Sequence, residues 1–349
     1  MDMVNVEDCC EILDSMRVPI TASERKEGKY PYYGANGIQD YVDDYIFDDE
    51  LVLLAEDGGN FGSRERPIAY RISGKCWVNN HAHVLKPKKG LDVDYLCYSL
   101  MFYKVEGIVN GATRKKLTQA AMRKMQIPFR RMEEQIHIVN NLNYVLKVKE
   151  KRERKLKLLD ELVRGRFVEL FGHPENNEMN WPQYCFGDIC TVRQGLQIPI
   201  SKRLTETEEN CYEYITVAYL HGGKEREYIK DPKDSVICHE DDILMTRTGN
   251  TGMVVTDVEG VFHNNFFLID FDRNRFSKGF LVEYLNLDYI QADILRRAGT
   301  STIPDLNHGD FYKMKIYEPP IALQKEFEAF SRQIDKSKFG HLSMLTTIK

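Results

Sequence analysis

The side chains best suited to chemistry in this chain lie in four polar loops, and that chemistry is recognition rather than bond-making. Two loops fall in the first half, Asp57-Gly58-Gly59-Asn60-Phe61-Gly62-Ser63-Arg64 and Asn110-Gly111-Ala112-Thr113-Arg114-Lys115-Lys116. Two fall in the second, Thr246-Arg247-Thr248-Gly249-Asn250-Thr251-Gly252 and Arg296-Arg297-Ala298-Gly299-Thr300-Ser301-Thr302. Arginine can fork onto a guanine edge and asparagine onto an adenine edge, while glycine lets the backbone come close. Hydroxyls, backbone amides and lysines hold phosphates and set register. The candidate contacts are therefore Asn60, Ser63, Arg64, Thr113, Arg114, Lys115, Arg247, Thr248, Asn250, Arg297 and Ser301. Any one of these loops is better read as an ordinary turn; four in two matching pairs favour recognition.

Catalytic patterns are missing from the text. There is no Gly-x4-Gly-Lys-Ser/Thr, Gly-x-Gly-x-x-Gly, His-Glu-x-x-His or Gly-x-Ser-x-Gly run. A DNA amino-methyltransferase needs an Asn/Asp-Pro-Pro-aromatic loop, and Tyr317-Glu318-Pro319-Pro320 has a different order. His81 and His83 would share one face of a strand, but sequence places no third ligand beside them, so a hydrogen-bonding or structural role outweighs a metal. Glu56 and Asp57 are adjacent, which on a strand sends them to opposite faces. No catalytic residue and no metal ligand is expected.

What must position the loops is a duplicated framework. Leu117 and Leu306, Met125 and Met314, Ile127 and Ile316, and Gln135 and Gln324 are each separated by 189 residues. Looser matches pair Asp49-Glu50-Leu51 with Asp241-Asp242-Ile243, and Asn79-Asn80 with Asn264-Asn265. A period this long exceeds the ~20–50 residues of solenoid repeats and indicates two similar domains. Short apolar runs bounded by Gly, Asn and Pro read as strands, with a helix expected over 93–109, an α+β pattern.

Between the copies the character changes. From 132 to 171 Leu, Lys, Arg and Glu dominate, with no Gly or Pro before Gly165. Ile138, Leu142, Val145, Leu156, Leu159, Val163 and Leu170 fall on one stripe. A continuous helix here would reach roughly 60 Å at ~1.5 Å per residue, enough to separate two domains. Its 147–157 run holds seven basic and two acidic residues, better read as a solvated face than as a phosphate contact. Gly172-His173-Pro174 stops it, and Pro319-Pro320 announces a second helix from Ile321. The expected division is 1–131, 132–172, 173–320 and 321–349.

Composition fits two domains: 349 residues, 42% hydrophobic, with no apolar run of the ~18 residues that span a bilayer. The acidic start is unlike a secretory signal, so a cytoplasmic protein is expected. Its eight cysteines contain no Cys-x-x-Cys pair and read as reduced thiols. A net charge of −5 argues against indiscriminate nucleic-acid binding but permits a local basic groove.

Several segments resemble the specificity subunits of type I restriction-modification systems. They are Tyr32-Tyr33-Gly34-Ala35-Asn36-Gly37, Trp77-Val78-Asn79-Asn80-His81-Ala82-His83, Asp335-Lys336-Ser337-Lys338-Phe339 and, most specific, the helix end from Leu159 through Arg166-Phe167 to Phe171-Gly172. The resemblance implies two target recognition domains separated by long antiparallel conserved-region helices, each domain reading half of a split, asymmetric site in double-stranded DNA. It implies a noncatalytic subunit that docks modification (methyltransferase) and restriction subunits, with S-adenosylmethionine, ATP and Mg on those partners and no cofactor here. Leu142, Leu156, Leu159, Val163 and Phe167 are the residues expected to carry docking. Counted to residue 349, the second helix region has 29 residues against about 40 in the first, and Gly340 weakens it by roughly 1 kcal/mol. A shortened second helix is expected, which keeps open an alternative, a silent cassette that only binds a modification subunit.

Overall fold

A computed structural model describes all residues except 1, 112–113, 221, 223–224, 300–303 and 347–349, and of 339–346 the backbone alone. It divides into two compact units, Met1–Glu150 and Lys151–Lys349.

In the first unit one six-stranded sheet has the order Cys10–Ile12, Ala82–Pro87, Phe47–Ala55, Ala69–Val78, Glu27–Gly34, Gly37–Val42. Residues 51–55 are buried throughout, as a central strand covered on both faces requires. The unit closes on itself because Asp2–Asn5 pairs antiparallel with Gln126–Phe129. That pairing brings Met125 and Ile127 into the core.

The second unit repeats this plan. Gln183–Cys185 pairs with Lys315–Tyr317, burying Met314 and Ile316. Each unit retains one parallel strand pair, marked by Tyr32 opposite Trp77 in one and Tyr214 opposite Val261 in the other. The second copy differs in having two four-stranded sheets. Where Phe47–Ala55 and Ala69–Val78 run unbroken, their counterparts divide into Ile237–Cys238 with Ile243–Thr246, and Val254–Val255 with Gly260–Phe262. The breaks have local causes. Asp242 accepts from the His239 amide at 2.9 Å and closes a turn, and Asp257 turns the chain with φ +60.

One expected helix needs correction. The one placed at 93–109 is Val93–Met101. It stops because the Met101 carbonyl accepts from the Ile68 amide at 2.8 Å, and the chain then folds back to bury Val105. The second long helix is described over Ile321–Thr346, passes through Gly340 and is the shorter of the two, 26 residues against 40 in Met132–Phe171.

The long helix begins with Glu133 and Glu134 in its first turn, the favourable sign at a helix N-terminus. Gly172 ends it with φ +75 and an amide bonded to the Val168 carbonyl at 2.8 Å, a left-handed cap that a side chain would strain. Within the second unit its later turns pack against Ile321–Thr346. Phe167 meets Phe327 edge-on at 5.3 Å, Arg166 pairs with Glu326 at 2.9 Å, and Asp160 with Lys338 at 2.8 Å. The numbers descend along one helix as they rise along the other, so the pair is antiparallel. Val163 and Phe167, expected on a docking face, are instead core residues, because these inward turns supply the unit's aromatic centre. Leu156 and Leu159 are half-buried and Leu142 is exposed.

The repeated glutamines fasten each helix to its unit. Gln135 accepts from the Asp92 amide at 2.8 Å and donates to the Gly90 and Arg130 carbonyls, both at 2.8 Å. Gln324 does the same with the Ser277 amide at 2.9 Å and the Arg275 and Pro319 carbonyls at 3.0 and 2.8 Å. Both are fully buried. Gln324→Ala strands three backbone groups, and each buried group left unpaired costs about 1–3 kcal/mol. A drop in urea midpoint is the expected reading; an unchanged midpoint would mean that water replaces the amide.

Candidate nucleic-acid interface

In the first unit the structure draws the two nominated loops together at the end of the central strand; in the second, loop 246–252 is joined instead to residues 304–306, just past the second nominated loop. In the first, Asp57 bridges to Lys116, and the Leu117 amide donates to the Glu56 carbonyl at 2.7 Å. In the second, Thr248 bridges to Asp305, and the Leu306 amide donates to the Arg247 carbonyl at 2.9 Å. The repeated leucines are thus buried pins beneath the loop pairs.

Side chains tighten the junction in the first unit. Asp57 Oδ1 lies 2.6 Å from His81 Nδ1 and accepts from Arg114 Nη2 at 2.8 Å. Lys116 pairs with Glu56 at 3.1 Å, and Asn36 donates to the Gly58 carbonyl at 3.0 Å. Ser63 Oγ accepts from the Glu65 and Arg66 amides, a turn within its own loop, and Asn60 reaches the Pro67 carbonyl at 3.4 Å. Ser63 and Asn60 therefore shape the loop, while Arg64 and Lys115 are exposed.

Beneath this junction lies an ion network. His83 is fully buried, with Nδ1 2.6 Å from Asp14 and Nε2 2.9 Å from the Leu117 carbonyl. Both ring nitrogens are thus engaged by oxygens of the network. Burial alone would raise the Asp14 carboxyl, but His83, Gln119 and the Val84 amide hold it below its usual range. Burial acts likewise on Glu56, and Arg17 at 2.6 Å with Lys116 holds it low. Asp14, Glu56 and His83 bring three potential ligand atoms within 4.8 Å of one another. Arg17 lies among them, 2.6 Å from Glu56 and 3.5 Å from Asp14, and the cation's place is thus held by a guanidinium.

The second unit builds its junction from other side chains. Arg247 donates from Nε and Nη2 to the two Asp305 oxygens at 2.9 and 2.7 Å, and from Nη1 to Gln194 at 3.2 Å. Hydrogen bonding to Asp305 raises the arginine above its usual value. His308 Nε2 lies 2.8 Å from Gln194 Oε1; burial, then the Arg247 charge, lowers its pKa. Thr251 donates to the Pro304 carbonyl at 2.8 Å, and Gln291 to that of Gly252 at 2.9 Å. Thr248 is half-buried and Asn250 exposed, its amide 3.5 Å from the Met253 sulfur.

One expected loop residue is misplaced. Arg297 belongs to the last turn of the helix Asp288–Ala298, where Nε donates to Asp293 four residues earlier at 2.7 Å. That spacing favours a helical pair, and it turns the guanidinium back along the helix. Thr113 and Ser301 lie outside the described residues. Sequence reasoning missed Lys116, Asp305, Gln194 and His308. The first two sit directly before the repeated leucines, and that adjacency was the available signal.

The duplication also organises the family match. The type I restriction modification DNA specificity domain matches residues 1–159 and again 178–339. The chain belongs to this family. A candidate type I restriction enzyme specificity subunit of Haemophilus influenzae, S.HindORF215P, is 37% identical over 138 residues, 40% of this chain and 35% of that protein. The EcoprrI specificity subunit of Escherichia coli is 26% identical over 117 residues, 33% of this chain and 28% of that protein. The matched span is thus about a third of each curated relative's length. Among solved structures, the type I restriction-modification S subunit from M. genitalium superposes with a TM-score of 0.64 at 16% identity, covering 99% of this chain and 92% of that one. A chain from a study of type I R-M complex assembly and conformational transition gives 0.55 at 14% identity, with 98% and 93% coverage. These two likenesses show a shared fold. No described helix is long and apolar enough to cross a membrane.

Proposed function

We propose that this specificity-family chain is the noncatalytic reader of a type I restriction-modification complex. Each unit reads one half-site of duplex DNA through its paired loops. Modification and restriction subunits dock on the chain and bring S-adenosylmethionine, ATP and Mg. One observation carries the reading: the two units keep the same pins and glutamine anchors, while the side chains at the loop junctions differ. A constant frame with different readers suits an asymmetric, two-part site. Arg64, Arg114, Lys115 and Asn250 are the described residues best placed to touch DNA, because they are exposed beside the junctions.

Sequencing of methylated DNA from a strain with and without the gene tests this. Loss of one two-part motif on deletion is expected; unchanged methylation would sink the reading and favour a chain that only binds a modification subunit. In direct binding, Lys115→Ala should weaken all sequences alike and reduce the salt slope by about 0.9, the value for one phosphate contact. A changed base preference with the slope intact would instead make Lys115 a base reader.

A further inference from the structure

We infer that Glu56–Lys116 and Arg247–Asp305 are one positioning device, a charge clasp that in each unit holds the loop after the central strand in register with the segment that leads into the pinned leucine, and that Arg247 acts through Asp305 rather than on a base. This rests on the DNA-reading function proposed above.

The pairs occupy equivalent places. Glu56 directly follows the strand Phe47–Ala55, and Arg247 directly follows Ile243–Thr246. The amide of each donates to the opposite chain, Glu56 to the His81 carbonyl at 2.9 Å and Arg247 to that of Asn265 at 2.7 Å. The carbonyl of each receives the amide of the pinned leucine, and the residue before that leucine completes the pair, as Lys116 or Asp305. Even the flanking bonds correspond. Gln119 donates to Asp14 at 2.9 Å in one unit, and His308 meets Gln194 at 2.8 Å in the other, two residues beyond each leucine.

Between the units the charges are exchanged. The post-strand residue is acidic in one and basic in the other, and its partner changes sign with it. An ion pair works with either polarity, whereas contact with a base edge requires a particular donor or acceptor. What the two units share is therefore the pairing. The geometry of Arg247 agrees: Nε and Nη2 form a two-pronged bond to one carboxylate, and Nη1 is held by Gln194. To fork onto guanine it would have to break the stronger class of hydrogen bond.

The test uses the full chain with its modification subunit and four forms: wild type, Arg247→Glu, Asp305→Arg and the double reversal. Methylation is read on DNA altered in either half-site, together with thermal unfolding. Each single reversal should lower discrimination at one half-site roughly tenfold, the scale of losing a hydrogen bond to a charged group, and leave the other half-site unaffected. The double reversal should return to within about threefold of wild type, because the restored pair is coupled. A double reversal no better than Arg247→Glu alone would overturn the clasp and make Arg247 a base reader. Single reversals that discriminate like wild type would overturn it too. A wild type that shows no half-site preference would remove the DNA reading instead. The melting temperatures then still decide the clasp, which requires that the double reversal recover what the single ones lose.

Discussion

Phe167→Ala is expected to cost the second unit about 3–5 kcal/mol, the range for truncating a buried aromatic ring. Phe167 is fully buried, and its ring lies 4.8 Å from Phe171, 5.3 Å from Phe280 and 5.3 Å from Phe327. Those neighbours come from three segments: its own helix, Lys278–Asn286 and Ile321–Thr346. One substitution thus opens a cavity where all three meet. Because Phe327 gives up one ring partner, the antiparallel pairing of the two helices should loosen before the sheets do. Hydrogen exchange at the helix 321–346 would report that order, and urea unfolding would report the total. A loss below about 1 kcal/mol would show that the site collapses around the smaller side chain. Leu158→Ala, on the exposed side of the same helix, should stay within about 0.5 kcal/mol.

The difference between these two leucine- and phenylalanine-bearing faces shows what sequence could and could not convey. Periodicity placed a stripe on the long helix and identified its bounds, because apolar spacing and a stop at Gly172 are local signals. It does not say what covers the helix: Val163 and Phe167 lie in the second unit's own core, with Phe167 packed on Phe280 and Phe327. The 189-residue spacing was legible for a similar reason. Leu117, Met125, Ile127 and their counterparts are buried and repeat because the core repeats. Gln135 and Gln324 repeated as plainly, but their role as anchors depends on backbone groups about 45 residues earlier that a linear text does not bring near.

The loop junctions were half legible. Glycine and polar content marked the loops, and Arg64 and Lys115 are indeed exposed. Composition does not distinguish an arginine that faces solvent from one already engaged, as Arg247 is by Asp305 and Arg297 by Asp293. For Arg297 the i, i+4 acidic partner was in the text; for Arg247 the partner lies 58 residues away. The helix expected at 93–109 failed through the same blindness. Val105, Ile108 and Val109 extend the apolar pattern, but they pack into the core from a turn rather than from a helix.

Asp14→Ala should be the most damaging single change in the first unit, at about 3–5 kcal/mol, the cost of removing one member of a buried ion pair. The carboxylate accepts from His83, Gln119 and the Val84 amide, and it pairs with Arg17 at 3.5 Å. Without it the buried His83 Nδ1 and Gln119 lose their shared acceptor, and among the described residues Arg17 keeps only Glu56 as an ionic partner. Because the other bond of His83 is to the Leu117 carbonyl, the damage passes directly to the pin beneath both loops. Replacing both partners, Asp14→Ala with His83→Leu, should be milder than Asp14→Ala alone, since no buried ring nitrogen is left without its acceptor. Acid supplies an independent reading. The folded state holds the Asp14 and Glu56 carboxyls below their usual range, so the unfolded chain binds protons more readily. Their contribution is therefore complete above about pH 5, begins to fall as the pH drops through the ordinary carboxylate range near 4, and is lost below the depressed native values. Wild type should lose stability along that limb more steeply than Asp14→Ala. Parallel urea-unfolding curves for the two between about pH 5 and 3 would mean that the network's stability does not reside in this carboxylate.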